Sequence, residues 1–151
     1  KATEIGVSRL LPVLTGRTNA ETVDTRQLRV HAVAAAEQSE RLTVPQVCNP
    51  VTFAEFVRDW PVDRKLLVGD ETGAGLPVIE VAEELAENPA PCAILTGPEG
   101  GFTPVELDQL SELPFVTSIG LGPRVLRADT AALAALSVVQ AVAGDWQPTR
   151  R

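Results

Sequence analysis

The sequence has only one histidine, two cysteines and no methionine among its 151 residues. The lone His31 lacks Cys or carboxylate partners at metal-ligand spacing, which predicts no metal site. Two thiols, Cys48 and Cys92, are too few for a secreted domain stapled by disulfides, so we expect both in the core, and no signal peptide is visible. No apolar run reaches the roughly 18 residues of a membrane-spanning helix. These absences predict a cytoplasmic protein that binds neither a metal ion nor a membrane.

Positive charge is also scarce, because the sequence has 13 Lys and Arg but 20 Asp and Glu, which gives a net charge of −7. This balance argues against a protein that grips nucleic acid over its whole surface. The acids are clustered, since ten of them and no Lys or Arg lie within 70–112, and four glutamates at helical spacing within 80–87 indicate a solvated helix face. The arginines that could contact an anion are Arg9, Arg17, Arg26, Arg29, Arg41, Arg124, Arg127, Arg150 and Arg151. Any RNA contact is therefore expected on one face, or shared with a partner or another domain.

Short apolar runs alternate with helical patterns along the chain. Hydrophobic residues make up 44% of the sequence, enough for one core at this length. We predict strands at 9–14, 65–69, 92–96 and 115–119, and helices at 24–41, 53–59, 77–87, from 103 onward and at 129–143. Thr52 and Thr103, each followed three residues later by Glu, form capping boxes that open two of the helices. The pattern predicts one α/β domain over 1–151, with a mostly parallel sheet and helices on both faces.

Glycine is concentrated in three loops that follow three of the predicted strands. Eight of the eleven glycines lie in 68–75, 96–102 and 119–127. Open α/β sheets bind ligands beyond the carboxyl ends of their strands, where glycines let the backbone approach closely. No P-loop Lys and no G-x-G-x-x-G pattern is present in these loops. They predict a small, mostly neutral ligand held by backbone groups, although 97–102 fits an ordinary turn before a helix equally well.

Four segments, in order along the chain, resemble the RsmE family of bacterial rRNA methyltransferases. They are 1–7 (KATEIGV), 35–39 (AAEQS), 97–102 (GPEGGF) and 121–127 (LGPRVLR). The resemblance implies a SPOUT-class fold with a deep trefoil knot near the C-terminus, one of the exceptions to the rule that chains are unknotted. It also implies S-adenosylmethionine as the cofactor and methyl transfer to N(3) of a uridine in the 16S rRNA of the 30S subunit.

The resemblance further assigns residues to the cofactor and to the reaction. The positions that match the family's cofactor loops are Leu67, Val68, Gly69, Thr96, Gly97, Glu99, Gly100, Leu121, Gly122, Val125, Leu126 and Thr130. Arg127, and secondarily Arg124, would orient the uracil carbonyls or an RNA phosphate of a base extruded from its stack. Asp129 is the nearest candidate to accept the N(3) proton. It stands where the family has Glu, so a catalytic role, a helix cap or neither remains open.

The resemblance also concerns partners and neighbouring segments. Members of the family are homodimers, and 129–143 fits this because it is apolar nearly all round; a central helix of a monomer would read the same way. Glu37, Gln38 and Arg41 match a family helix and could face RNA. Family members begin with a PUA-like RNA-binding domain and a first strand, which we expect upstream of Lys1. The alternatives are a SPOUT enzyme that acts on tRNA and a non-catalytic interaction domain.

Overall fold

The computed structural model describes residues 1–19 and 22–147. In chain order its helices are α1 (Ala2–Ile5), α2 (Thr25–Gln38), α3 (Phe53–Arg58), α4 (Val78–Glu87), α5 (Pro104–Ser111) and α6 (Ala128–Val142). Its strands are β1 (Arg9–Leu10), β2 (Val13–Leu14), β3 (Gln46–Val47), β4 (Val51–Thr52), β5 (Lys65–Gly69), β6 (Leu76–Pro77), β7 (Cys92–Leu95) and β8 (Val116–Gly120).

The main sheet places β5 at its centre, in the order β6–β8–β5–β7. Among the described residues, each pairing in this sheet is parallel. Leu67 of β5 lies opposite Ile94 of β7 on one side and Thr117 of β8 on the other. Because β5, β7 and β8 point the same way, the loops that leave them emerge at one edge of the sheet.

Side chains alternate along β5 and supply the core on both faces of the sheet. Leu66 and Val68 pack in a cluster with residues of α3 and α5. Leu67 packs in a second cluster with residues of α4 and with Ala135 of α6. The three β5 side chains are at most 1% exposed, because helices cover both faces. The predicted α/β class with helices on both faces is confirmed.

Helix α4 is amphipathic in the predicted way. Val81, Ala82 and Leu85 are buried against the sheet. The glutamates of 80–87 are all exposed. The excess of acid in this part of the chain is therefore a solvated surface, as its helical spacing indicates.

The prediction of a single strand over 9–14 is wrong, because two short strands occupy this segment. Strand β1 pairs with β3, and β2 pairs with β4. Leu11 and Pro12 separate them. Pro12 has no N–H to donate to a ladder, although its carbonyl accepts a hydrogen bond from Val51 N at 3.1 Å. The proline thus ends the first pairing, and each half of the segment finds its own partner.

Helix boundaries follow the caps more closely than the apolar pattern. The capping boxes of α3 and α5, Thr52 with Glu55 and Thr103 with Glu106, are confirmed. Helix α2 ends at Gln38 instead of residue 41, and the next residue, Ser39, donates its hydroxyl to Ala35 O at 2.7 Å. The pattern predicts neither β4 nor β6, since such short elements carry no periodicity.

The N-terminal segment is tied to the rest of the fold by two side chains. Arg41 donates to Thr3 O at 2.6 Å and to Val7 O at 3.0 Å. Gln140 of α6 donates to Ile5 O at 2.7 Å. Helix α1 is therefore fixed between the end of α2 and α6. In the part of the chain that the structure describes, no helix has the length and apolar character to cross a membrane.

Candidate functional site

A cavity of about 710 Å³ opens where the loops after β5, β7 and β8 meet. Most of its lining falls within 69–77, 96–102 and 119–128. Cavities of about 300–1,000 Å³ are typical of small-molecule sites, and the carboxyl edge of the sheet is where α/β folds bind ligands. The three glycine-bearing loops that the sequence singled out therefore surround one cavity.

The predicted ligand-contact residues divide into two sets. Those that line the cavity are Gly69, Thr96, Gly97, Glu99, Leu121, Gly122, Val125 and Leu126, together with Arg124 and Arg127. Leu67 and Val68 are instead core side chains of β5, at 0% and 1% exposure. Gly100, Thr130 and Asp129 also lie outside the lining.

Residues 70–75 of the first loop are held against β8 by backbone contacts. Asp70 N donates to Ile119 O at 3.0 Å, and Asp70 Oδ1 accepts from Thr72 N at 2.8 Å in an Asx-type turn. A Cβ at Gly75 would lie 2.6 Å from Ile119 C and 2.8 Å from Gly120 N. Only glycine permits this approach, which brings the first loop onto the end of β8.

The second loop, 97–102, is a tight turn that also forms a wall of the cavity. Gly101 N donates to Pro98 O at 2.8 Å, and Gly101 has φ 66, in the left-handed region that favours glycine. The carboxylate of Glu71 fills the space that a Cβ at Gly101 would occupy. The first and second loops therefore meet at this point. The turn predicted at 97–102 is confirmed, and the same segment lines the cavity.

The third loop leads into α6 and carries both arginines of the cavity. Gly122 has φ 94, and no atom lies within 4 Å of the position its Cβ would take. Arg127 is the N-cap residue of α6, and its carbonyl accepts from Ala131 N at 2.8 Å. Ala131 itself lines the cavity, so the first turn of α6, with the positive end of its dipole, borders the site.

Groups of both charge signs line the cavity. The carboxylates of Asp70, Glu71 and Glu99 come from the first two loops, and the guanidinium groups of Arg124 and Arg127 from the third. Within 1–19 and 22–147, neither arginine forms a salt bridge. Both guanidinium groups can therefore donate to an anionic or carbonyl-bearing ligand. The arrangement suits a ligand that carries positive and negative groups together.

Asp129 is the second residue of α6 and is exposed. The predicted start of the helix at 129 is one residue late, and because Arg127 is the N-cap residue, that role does not fall to Asp129. Its Oδ1 accepts from Thr130 N at 2.8 Å, and its Oδ2 lies 3.5 Å from Lys1 Nζ. The hydrogen bond from Thr130, aided by Lys1, holds the pKa of Asp129 below its ordinary value. A lowered pKa makes this carboxylate a weaker base, while the Thr130 contact satisfies a free N–H of the first turn.

Other residues that the sequence singled out lie away from the cavity. Glu37, Gln38 and His31 are exposed on α2. Both cysteines are free and half-buried, and burial raises the pKa of the Cys92 thiol. Among the described residues there is no group of three His, Cys, Asp or Glu that could hold a metal ion. Of the nine arginines that could contact an anion, Arg150 and Arg151 lie outside the described residues.

Sequence reasoning missed part of the cavity wall. The missed residues include Asp70, Glu71, Thr72, Pro98, Gly101, Phe102, Pro123 and Ala128. Nearly all of them lie in the three glycine-bearing loops already identified. The extent of these loops therefore indicates the cavity wall more completely than the individual residues that match the family.

Comparison with known proteins places the chain among RNA-modifying proteins. The family model described as RNA methyltransferase domain matches residues 1–140. Ribosomal RNA small subunit methyltransferase E of Rickettsia conorii is 30% identical over 139 residues, which are 92% of this chain and 56% of the relative. The Bacillus subtilis protein of the same name is 32% identical over 148 residues, 92% of this chain and 57% of the relative.

A solved structure has the same fold. The ribosomal RNA small subunit methyltransferase E of Neisseria gonorrhoeae, crystallised with S-adenosyl methionine, matches with a TM-score of 0.83 and 27% identity. The match covers 97% of this chain and 60% of that one. This chain therefore spans little more than half the length of the relatives that it resembles.

Proposed function

The chain belongs to the RNA methyltransferase domain family, and from this premise we propose that it binds S-adenosylmethionine in the cavity at the carboxyl edge of the sheet. We propose further that it methylates N(3) of a uridine in the 16S rRNA of the small ribosomal subunit. The observation that carries the proposal is the cavity itself, lined by the three loops that resemble the RsmE family. The namesake relatives are ribosomal RNA small subunit methyltransferases, and the Neisseria gonorrhoeae protein was crystallised with this cofactor.

The residues of the cavity fit the cofactor. A volume of about 710 Å³ lies within the range of small-molecule sites. Glycines 69, 97 and 122 leave backbone groups open to a ligand, and the space beside Gly122 is free of atoms within 4 Å. S-adenosylmethionine has no phosphate, which agrees with a glycine-rich site that lacks a P-loop lysine. The carboxylates and arginines suit a ligand that carries ammonium, sulfonium and carboxylate groups.

The residues that would hold the cofactor are Gly69, Thr96, Gly97, Glu99, Leu121, Gly122, Val125 and Leu126, which line the cavity. When bound, S-adenosylmethionine supplies a methyl group activated by its sulfonium charge. The remaining four matched residues support these positions: Leu67 and Val68 anchor the end of β5, Gly100 lies within the second loop, and Thr130 lies in the first turn of α6.

Arg127 and Arg124 are the residues we assign to RNA. Both line the cavity and both are exposed, so they can reach a base that enters from outside. A guanidinium donates well to uracil carbonyls or to phosphate, and fixing the base accounts for much of the rate in a methyl transfer. Arg127 is also the N-cap residue of α6, which fixes its backbone more firmly than that of Arg124.

For Asp129 we favour a structural role at the start of α6 over proton removal. Its carboxylate already accepts the Thr130 N–H at 2.8 Å and lies 3.5 Å from the Lys1 ammonium. Both contacts would be weakened if the carboxylate took up a proton. The N(3) proton would then pass to solvent, or to a group of the RNA or of a second subunit.

We also propose a homodimer that forms through α6, together with a cytoplasmic location. Helix α6 is apolar nearly all round, yet Ala135 is its one fully buried residue in the described structure. An apolar helix of this kind is normally covered, and a second copy would cover it. The trefoil knot and the PUA-like domain upstream stay predictions.

The test is methylation of unmodified 30S subunits, naked 16S rRNA and tRNA by this chain with S-adenosylmethionine. Digestion to nucleosides and mass spectrometry then report 3-methyluridine. The proposal expects one methyl per 30S subunit or per 16S rRNA, loss of the signal in Arg127→Ala, and an unchanged signal in the remote control Arg58→Ala. Methylation of tRNA alone would replace the proposed substrate. Absence of cofactor binding would favour the non-catalytic interaction domain.

A further inference from the structure

A turn of four residues after β2 contacts the second cavity loop from outside the cavity lining. Thr18 N donates to Thr15 O at 3.1 Å, and Thr15 N donates to Thr18 Oγ1 at 2.9 Å, so the turn is braced by its own hydrogen bonds. Gly16 and Arg17 lie at its centre. Neither belongs to the cavity lining.

Arg17 binds the second loop at two carbonyl groups. Its Nη1 donates to Gly100 O at 2.7 Å and to Phe102 O at 3.2 Å. These carbonyls lie on either side of Gly101, the residue with φ 66. One guanidinium nitrogen therefore fixes the backbone on both sides of the point where the loop adopts its left-handed conformation.

Gly100 is shaped to receive this arginine. A Cβ at Gly100 would lie 3.3 Å from Arg17 Cδ and 3.4 Å from Arg17 Cβ, which is tighter than ordinary contact. Gly100 matches the family's cofactor loop but does not line the cavity. The aliphatic part of Arg17 lies where a side chain at Gly100 would be.

Glu106 makes the second connection between the turn and the loop. Its Oε2 accepts from Thr103 N at 2.8 Å, which closes the capping box of α5. Its Oε1 accepts from Gly16 N at 2.7 Å. The residue is 7% exposed, so both oxygens are withdrawn from water and committed to these donors. The carboxylate joins the start of α5 to the turn that carries Arg17.

We propose that Arg17 and Glu106 are positioning residues that hold loop 97–102 in the shape that binds S-adenosylmethionine. The inference rests on the proposed function, since it takes this cavity as the cofactor site. Arg17 itself lies outside the lining, and of its two acceptor residues Gly100 lies outside it and Phe102 within it. Gly97, Glu99 and Gly101 of the same loop also line the cavity. Loss of the arginine leaves the cavity residues in the sequence but frees the backbone that sets their positions.

The first experiment compares Arg17→Ala and Arg17→Lys with Arg58→Ala, a matched loss of an exposed arginine outside the site. Calorimetry with S-adenosylmethionine measures affinity, and hydrogen exchange in the cofactor-free protein measures the exchange rates of the amides of 100–103.

We expect Arg17→Ala to weaken affinity by roughly fivefold to tenfold, consistent with loss of hydrogen bonds from a charged, partly exposed donor. The Gly101 amide should exchange faster, while β5 amides do not change. Arg17→Lys should recover part of both effects, because an ammonium also donates to carbonyl groups but lacks the planar geometry of the guanidinium.

The second experiment is a double-mutant cycle with Gly100→Ala. In the presence of Arg17, the added methyl requires the arginine side chain to shift by a few tenths of an ångström, which should strain its two hydrogen bonds and weaken affinity. In Arg17→Ala, the space is free and the same methyl should have little further effect. Non-additive changes in cofactor affinity support the inference.

The outcomes separate the inference from the proposed function. Wild-type affinity and unchanged exchange at 100–103 in Arg17→Ala would overturn the positioning role, as would additive effects in the cycle. If the unaltered chain binds no S-adenosylmethionine, the proposed function fails, and faster exchange at Gly101 in Arg17→Ala would still establish that Arg17 holds the loop.

Discussion

Replacing Gly75 by alanine should disrupt the junction between the first loop and β8. The new Cβ would lie 2.6 Å from Ile119 C, 2.8 Å from Gly120 N and 2.9 Å from Ile119 O. All three are backbone atoms of a strand that is hydrogen-bonded to β5, so no side chain can rotate away to make room. The loop must then withdraw. Its pairing with β8 starts at the next residue, where Leu76 lies opposite Ile119.

The size of the effect follows from the kind of clash. Overpacking against a rigid neighbour typically costs about 1–3 kcal/mol of stability. We expect Gly75→Ala to lower the free energy of unfolding by that amount in urea titrations, and to weaken S-adenosylmethionine binding because the first wall of the cavity moves.

Gly69→Ala is the matched control for stability. It adds the same methyl at the other end of the same segment, and its nearest atoms are Leu95 O at 3.7 Å and Thr96 Cγ2 at 3.8 Å. These are ordinary contacts, so unfolding should change by less than about 0.5 kcal/mol. Equal unfolding free energies for the two variants would refute the close approach of the first loop to β8.

Three further predictions concern single charged groups. Burial alone would raise the pKa of Glu106, but hydrogen bonds from Thr103 and Gly16 outweigh it and lower the pKa below its ordinary value. The ionised carboxylate therefore stabilises the fold at pH values above its ordinary pKa. That contribution is lost as the pH falls through the lowered pKa, and urea titrations at several pH values should find a smaller acid-induced loss of stability in Glu106→Gln. Asp129→Asn should leave the single-turnover methylation rate at saturating RNA unchanged; a large drop would restore this residue as the base. Arg127→Ala should lower rRNA methylation by roughly tenfold or more while calorimetry finds cofactor affinity retained, and Arg124→Ala should have the smaller effect.

The sheet and its covering helices could be predicted because their signals are local. The apolar run at 66–69 and the Thr–x–x–Glu boxes at 52 and 103 specify a buried strand and two helix starts without reference to the rest of the chain. The strand over 9–14 could not be predicted correctly, because the effect of Pro12 depends on partners near residues 46–52. Strand order likewise depends on long-range pairing that no periodicity records.

The candidate site could be located from glycine spacing but not resolved into roles. Four glycines of these loops look alike in the sequence but differ in what lies beside them in the structure. Gly69 has only ordinary van der Waals contacts, and Gly75 meets the backbone of β8. Gly100 meets Arg17, and Gly101 meets Glu71. Gly100 illustrates the difference, because the family match predicts a cofactor contact, whereas its contact with Arg17 is visible only in the structure. The connection from Arg17 to this loop spans 83 residues of sequence and has no local signature.

The most direct test of the account is titration of this chain with S-adenosylmethionine, followed by hydrogen exchange with and without the cofactor. We expect saturable binding at one site per chain. We also expect protection of amides in 69–75, 96–102 and 119–127, with little change in α2 or α3. Absence of binding, or protection confined to residues outside these three loops, would contradict the account.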